Sequence, residues 1–174
     1  MLKDSKILLS EEDIAKRVKA IGQQISQDYK GKSIVCIGVL KGSFIFLGDL
    51  IRNISIPVRV EFIGVSSYKG TASTGQVRIT NDLTSEIRGE HVLLVEDIVD
   101  TGTTLDYLLD TFRVRKPKSL KVATFLSKPE AHAMHNKINY AGFEIGREFV
   151  VGYGLDLDGK YRELPHILQL LAGA

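Results

Sequence analysis

One stretch of the sequence, residues 92–104, constrains the fold more than any other. It begins with four apolar residues, from Val92 to Val95, and such a run is typical of a strand covered on both faces, as in a parallel sheet. Glu96 and Asp97 follow directly. Because neighbouring strand residues point to opposite faces, two solvated carboxylates in a row predict that the strand ends there and a loop begins.

The second half of this stretch predicts a turn that opens a helix. A glycine and three hydroxyl residues follow Asp100, and apolar residues then recur at helical spacing from Leu105 to Phe112. A helix N-terminus offers free N–H groups and a positive dipole end, so the turn is a candidate phosphate site. The acids just upstream suit sugar hydroxyls or a hard cation such as Mg²⁺. Taken singly, each acid is better explained as part of a solvated loop or a helix cap, but the full ordered string favours a site for a phosphorylated sugar.

The rest of the chain alternates predicted strands and helices. Strands are expected at 33–40, 58–65, 77–83, 119–126 and 149–156, and helices at 11–29, 44–51 and 165–171. Ser10 is the predicted N-cap of the first helix, and residues 140–145 are expected to be a connection. This alternation predicts an α/β fold with a mostly parallel sheet, whose ligands bind beyond the carboxyl ends of the strands. Lys41, Glu96 and Lys128 fall at such ends.

Residues 66–76 are rich in Gly, Ser and Thr and carry almost no aliphatic bulk. Two interpretations compete: an idle hairpin connection, or a lid that closes over a reaction. Composition alone favours the hairpin.

Size, charge and cysteine content exclude several classes of protein. We expect one domain, residues 1–174, with a substantial core. The formal net charge of +2 argues against a nucleic-acid coating protein. The lone Cys36 lies in an apolar run, which predicts a core residue in a reducing compartment. No apolar stretch approaches a membrane span or a signal peptide, so a cytoplasmic location without membrane contact is predicted.

The stretch at 92–104 resembles the phosphoribosyl-pyrophosphate loop of the type I phosphoribosyltransferases: four apolar residues, two acids, two apolar residues and an Asp/Thr/Gly turn. Further segments appear in the order found in the hypoxanthine-guanine phosphoribosyltransferases, especially bacterial ones, namely Leu40-Lys41-Gly42, Ser66-Ser67-Tyr68, Lys128-Pro129, 149–156 and 160–162. Gly146-Arg147 departs from the Pro-Asp that relatives often carry. The resemblance implies a central sheet flanked by helices, with a small hood from the N- and C-terminal segments.

The resemblance also implies an activity and its cofactor. Such enzymes transfer the 5-phosphoribosyl group from phosphoribosyl pyrophosphate to N9 of a 6-oxopurine, giving IMP or GMP and pyrophosphate. Glu96 and Asp97 would hold the ribose hydroxyls, directly and through water on Mg²⁺, and a second Mg²⁺ would sit near Asp156. The 5′-phosphate would bind the turn formed by Asp100, Thr101, Gly102, Thr103 and Thr104.

The purine would be held by a second set of residues. Asp100 would act as general base or acid at N7, unless it is only the helix N-cap. Lys128 would donate to the purine O6, which adenine's amino group could not accept, although a surface lysine at a strand end is the plain alternative. Phe149 would stack on the base, with Ile98 and Leu155 as apolar walls and the backbone carbonyls of Val150 and Asp156 reading the N1 and 2-amino edge. Each apolar member is otherwise plausible core.

Pyrophosphate would be held by Lys41, Gly42 and Arg162, with a non-proline cis peptide at Lys41-Gly42 as in relatives, unless Arg162 is half of a surface ion pair. Ser67 and Tyr68 would belong to the lid. A homodimer or homotetramer is expected by the same resemblance.

Three other functions remain open at this point. A xanthine-preferring enzyme would differ little in sequence, because backbone reads the purine 2-position. A regulatory RNA-binding protein of this fold would need a concentrated basic face, which the charge balance does not support. A phosphosugar-binding protein without catalysis is the third.

Overall fold

The computed structural model describes residues 4–67, 77–131 and 137–171. The strands in these ranges are β1 (Ser5–Leu9), β2 (Ile34–Leu40), β3 (Val58–Ser67), β4 (Val77–Asn81), β5 (His91–Val99), β6 (Ser119–Ser127), β7 (Tyr140–Glu144), β8 (Phe149–Val151) and β9 (Ile167–Leu170). The α-helices are α1 (Glu11–Asp28), α2 (Phe44–Arg52) and α3 (Thr103–Val114), and a single 3₁₀ turn spans Pro129–Ala131.

The central sheet has six strands in the order β4-β3-β2-β5-β6-β7. Strands β3, β2, β5, β6 and β7 run parallel, and only β4 at one edge is antiparallel to its neighbour β3. The predicted mostly parallel sheet is therefore confirmed. Because the strands are parallel, the carboxyl ends of β2, β5 and β6 meet at one edge of the sheet, where a ligand site is expected.

Helices cover both faces of this sheet. Helices α1 and α2 pack on one face over Cys36, Leu93 and Phe125, and α3 packs on the other over Leu94. Cys36 is fully buried, as its apolar surroundings predicted. The N-cap prediction for α1 is also confirmed, because Ser10 Oγ accepts a hydrogen bond from the Asp13 amide at 3.1 Å.

A second, three-stranded sheet forms a hood from the two ends of the chain. Its strand order is β1-β9-β8, and both pairings are antiparallel. The hood confirms the expectation from the family resemblance. The helix predicted at 165–171 is wrong, because this segment is strand β9, with Ile167 and Leu168 buried between β1 and β8. An apolar run of this length has too few residues to distinguish a helical period from a strand.

Two further boundaries differ from prediction. Residues 140–145 are not a connection, since β7 pairs with β6 there as the edge strand. The strand expected at 149–156 ends at Val151, because Gly152, Tyr153 and Gly154 all have positive φ and turn the chain. Among the described residues, no helix has the length and apolar character needed to span a membrane.

A buried carboxylate on β3 anchors the connection between β4 and β5. Glu61 is 7% exposed and accepts hydrogen bonds from the Thr84 amide at 3.1 Å, from the Thr84 hydroxyl and from the Ser85 hydroxyl. The Ser85 bond, followed by those from Thr84, lowers the pKa of Glu61. The ionised form is therefore the one that the fold stabilises.

Replacing Glu61 with Gln is expected to lower the free energy of unfolding by about 1–3 kcal/mol at pH 7, because the amide group cannot accept from all of these donors. Since the folded pKa is lowered, this stabilisation is present above the unfolded pKa and lost as pH falls through the folded pKa. Urea unfolding at pH 7 and pH 3 checks both points. Glu86→Gln, an exposed change in the same loop, is the control. Equal losses for the two variants would contradict the anchoring role.

Candidate active site

The two acids of the opening stretch lie inside a strand, contrary to the prediction that the strand ends before them. Strand β5 continues to Val99, and Glu96 pairs with Thr124 of β6. Glu96 is only 5% exposed, so its carboxylate is buried, whereas Asp97 is half-buried. The assumption that both carboxylates stay solvated was the error. The parallel ladder with β6 holds the backbone extended at this point.

Burial gives these carboxylates unusual proton affinities. Burial raises the pKa of Glu96 well above its ordinary value, and the negative charge of Asp97 raises it further. Burial also raises the pKa of Asp97, although the Ile98 amide, which donates to Asp97 Oδ1 at 2.8 Å, partly opposes this effect. A nearby cation or hydroxyl donors would stabilise the ionised forms of both carboxylates.

A cavity of about 520 Å³ opens beside this carboxylate pair at the carboxyl edge of the sheet. Its lining includes most of the residues predicted for sugar, phosphate, pyrophosphate or Mg²⁺, namely Lys41, Gly42, Glu96, Asp97, Asp100, Thr101, Gly102, Thr104, Asp156 and Arg162. Ile98, predicted as a wall of the purine site, also lines it. Thr103 does not line it. Sequence reasoning missed five apolar wall residues, Val39, Leu40, Val65, Val99 and Leu105. All but Leu105 lie near strand ends, which was the available signal.

The predicted phosphate turn does open a helix. Gly102, with φ of 82°, immediately precedes α3, and the first helical hydrogen bond runs from the Asp106 amide to the Gly102 carbonyl at 2.9 Å. The amides before Asp106 therefore belong to the unbonded first turn. These amides and the helix dipole form a suitable anion site at the cavity wall.

Asp100 does not cap this helix. The cap position is Gly102, and the Thr103 amide at the start of α3 donates at 3.5 Å to Thr101 Oγ1 rather than to Asp100. Instead, Asp100 Oδ2 lies 3.9 Å from Lys128 Nζ, and the Asp100 side chain is 57% exposed. The capping alternative for Asp100 is therefore wrong, and its carboxylate is available at the cavity beside a lysine.

The loop between β2 and α2 carries Lys41 and Gly42 against the carboxylate pair. A Cβ added to Gly42 would overlap the Asp97 carboxylate, so only glycine fits there. The cis peptide bond lies between Leu40 and Lys41, one bond before the position expected from relatives.

Arg162 also lines the cavity. Its guanidinium donates to the Gly154 carbonyl at 2.6 Å and pairs with Asp156 Oδ1 at 2.5 Å. The surface-ion-pair alternative thus holds only in part, because the pair with Asp156 is formed within the cavity wall rather than on open surface.

The residues predicted for the purine lie outside the cavity lining, except Ile98 and Asp156. Lys128 adjoins the cavity through Asp100, and Phe149 is 54% exposed at the start of β8. The Val150 and Leu155 side chains are buried in the core. Of the predicted lid, Ser67 is the last residue of β3, whereas Tyr68 and the remainder through residue 76 lie outside the described residues.

Comparisons with known proteins agree with this geometry. A family model described as a phosphoribosyl transferase domain matches residues 4–158. The hypoxanthine-guanine phosphoribosyltransferase of Streptococcus pneumoniae is 46% identical over 93% of this chain and 91% of that protein. The enzyme of the same name from Bacillus subtilis is 45% identical with the same coverage.

The structural comparison leads to the same group of proteins. A crystal structure of a hypoxanthine-guanine phosphoribosyltransferase from Bacillus anthracis superimposes with a TM-score of 0.90 and 46% identity, covering 95% of this chain and 98% of the other. Sequence, fold and cavity therefore agree that this chain belongs to the phosphoribosyltransferase family, among the hypoxanthine-guanine phosphoribosyltransferases.

Proposed function

We propose that the protein is the purine-salvage enzyme that transfers the 5-phosphoribosyl group of phosphoribosyl pyrophosphate to N9 of hypoxanthine or guanine. The products are IMP or GMP and pyrophosphate. One observation carries this proposal: a single cavity joins the buried Glu96–Asp97 pair, the first turn of α3 and the Lys41-Gly42 loop. A sugar bearing phosphate groups at two ends needs these three neighbouring subsites.

Each subsite has a distinct task in the proposed reaction. Glu96 and Asp97 accept hydrogen bonds from the ribose hydroxyls, and the amides at the start of α3 bind the 5′-phosphate. Lys41, the Gly42 amide and Arg162 hold the pyrophosphate, whose negative charge grows as its bond to the anomeric carbon breaks. Fixed positive groups around a leaving group stabilise that charge without reorganisation.

Asp100 and Lys128 are proposed to act on the base. As N9 attacks the anomeric carbon, the purine loses its N7 proton to the Asp100 carboxylate, which is its general base. Lys128 donates to the purine O6, and its 3.9 Å distance from Asp100 supports the assignment of both groups to one purine edge. Phe149 would stack on the ring, with Ile98 and Leu155 as walls and the Val150 and Asp156 carbonyls reading the N1 edge.

Mg²⁺ is the proposed cofactor: Glu96 and Asp97 would hold one ion through water, and Asp156 would lie near a second. The raised pKa values of Glu96 and Asp97 fit such a site, because a bound cation would favour their ionised forms. Within the described ranges, no three candidate ligands group closely enough to hold an ion by themselves. This fits Mg²⁺, which takes one or two carboxylates and completes its shell with substrate oxygens and water. When bound, it would neutralise pyrophosphate charge.

We also propose that the chain, a single domain with a lid near residues 66–76, acts as a homodimer or homotetramer. Phe44 at the start of α2 and Val60 and Phe62 on β3 are large apolar side chains exposed by 36–42%. A second copy would cover such residues. Light scattering on the purified protein measures the assembly, and a monomer at micromolar concentration would exclude it.

Initial rates with hypoxanthine, guanine, xanthine and adenine, each with phosphoribosyl pyrophosphate and Mg²⁺, test the proposed activity. We expect turnover of hypoxanthine and guanine and little of adenine, whose amino group would oppose the Lys128 donor. A preference for xanthine would change the substrate assignment. Salt-dependent RNA binding without turnover would contradict the proposed enzyme and favour a regulatory RNA-binding protein.

Replacing Lys128 with Ala is expected to lower kcat/KM for hypoxanthine and guanine by about 10–100-fold, because a hydrogen bond from a charged donor is lost. The KM for phosphoribosyl pyrophosphate should change little, since the sugar and phosphate subsites remain. Lys30→Ala, at an exposed position after α1, is the control. Equal efficiency losses toward both substrates would contradict base recognition by Lys128.

A further inference from the structure

The turn that follows β8, residues 152–154, extends the hood and lies directly on the loop proposed to hold pyrophosphate. Gly154, with φ of +99°, packs so closely that an added Cβ would overlap the Gly42 carbonyl oxygen. The other contact of Gly42 is with the Asp97 carboxylate, as described above. Gly42 is therefore confined between strand β5 and the hood, and its position depends on where the hood lies.

The same hood glycine positions Arg162. The Arg162 guanidinium donates to the Gly154 carbonyl, and the Gly154 amide donates to the Arg162 carbonyl at 2.9 Å. Two groups assigned to pyrophosphate, the Lys41-Gly42 loop and Arg162, thus meet at Gly154. A small displacement of the hood relative to the loop would therefore change the distances from pyrophosphate to both Arg162 and the Lys41-Gly42 loop.

A partly buried hydrogen bond outside the cavity joins these same two parts. Tyr153 Oη, next to Gly154, donates to Asp49 Oδ2 at 2.8 Å. Asp49 lies on α2, which begins at Phe44, soon after the Lys41-Gly42 loop. Tyr153 is 4% exposed, and its ring centroid lies 4.7 Å from that of Phe125. Burial, and then acceptance by Asp49, raise the pKa of the hydroxyl, so it remains a donor.

We infer that Tyr153 and Asp49 are positioning residues for the pyrophosphate subsite: their hydrogen bond holds α2 and the Lys41-Gly42 loop in register with Gly154 and Arg162. The inference rests on the proposed function, in which pyrophosphate is the leaving group. Neither residue touches the substrate in this arrangement. Both act through the backbone groups that do.

The test compares Tyr153→Phe with a matched control elsewhere in the fold. Tyr140 is 3% exposed and donates to Asp28 Oδ2 at 2.6 Å, but it lies at the amino end of β7, across the sheet from the cavity. Both variants lose a partly buried Tyr–Asp hydrogen bond. Tyr140→Phe also loses the hydrogen bond that Tyr140 Oη accepts from Lys121 Nζ at 3.1 Å, so its loss of thermal stability should be at least as large. Only Tyr153→Phe should raise KM for phosphoribosyl pyrophosphate and Kd for inorganic pyrophosphate, by about five- to tenfold. The KM for hypoxanthine should stay unchanged.

Substitutions of Asp49, the acceptor of the Tyr153 hydrogen bond, provide a second test. Asp49→Asn keeps an oxygen that accepts from Tyr153 and should retain nearly normal pyrophosphate binding, whereas Asp49→Leu should behave as Tyr153→Phe does. Equal Kd values for pyrophosphate in Tyr153→Phe and Tyr140→Phe would overturn the inference, as would parallel rises in KM for both substrates. Pyrophosphate binding by calorimetry needs no turnover, so an inactive wild-type protein would refute the proposed function while this comparison still decides the inference.

Discussion

Replacing Asp100 with Asn should lower kcat by about 10²–10⁴-fold, the range typical of removing a general base. The amide has nearly the shape of the carboxylate but cannot take the purine N7 proton. The structure leaves Asp100 available for this task, because Gly102 rather than Asp100 occupies the cap position of α3. Stopped-flow or steady-state assays with hypoxanthine measure the loss, and calorimetry with phosphoribosyl pyrophosphate should show nearly unchanged binding.

The control for Asp100→Asn is Asp110→Asn on α3, the helix that follows Asp100. Asp110 forms an exposed pair with Arg113 at 2.9 Å, and exposed pairs contribute little. We expect wild-type kcat for this variant. An Asp100→Asn enzyme that keeps more than about a third of wild-type kcat would remove Asp100 from the proton-transfer step, since even modest general base catalysis exceeds that factor.

The parallel core was predictable because its signals are local. Helix α1 has a capping Ser10 and apolar residues at regular helical spacing, and β2 and residues 92–95 of β5 are uninterrupted apolar runs. The hood was harder to predict. Strands β1 and β9 are short, and each becomes a strand only by pairing with a partner from the far end of the chain. The family resemblance implied a hood, whereas residue periodicity misassigned β9 as a helix.

In the candidate site too, local sequence patterns predicted some features, whereas others depend on contacts between distant parts of the chain. The ordered string from Glu96 to Thr104 located the cavity, because strand end, turn and helix start are adjacent in sequence. Burial of Glu96 was not predictable in this way, since β6 buries it from the neighbouring position in the sheet. The Tyr153–Asp49 contact likewise joins residues far apart in the chain. Such contacts depend on tertiary packing, which local patterns do not encode.

Replacing Glu96 with Gln is expected to stabilise the ligand-free protein while impairing its function. A buried carboxylate beside Asp97 is unfavourable when ionised, and a neutral amide removes that repulsion. At pH 8 we expect the free energy of unfolding to rise by about 1–2 kcal/mol. The kcat/KM for phosphoribosyl pyrophosphate should fall by about 10–100-fold, because a charged acceptor for the ribose hydroxyls is lost.

The pH dependence of this stability difference gives a sharper test than its size. Because the folded pKa of Glu96 is raised, the wild type is stabilised below the unfolded pKa and loses that stability as pH rises through the folded pKa. The stability gain of Glu96→Gln over wild type, measured by thermal unfolding without ligand, should therefore grow from pH 5 to pH 8. The exposed Glu12→Gln control should show no such trend. With Mg²⁺ and phosphoribosyl pyrophosphate present the order should reverse, since ligand binding stabilises the wild type more. If Glu96→Gln is less stable than wild type at pH 8 without ligand, the Glu96 carboxylate stabilises the fold, and the prediction is wrong.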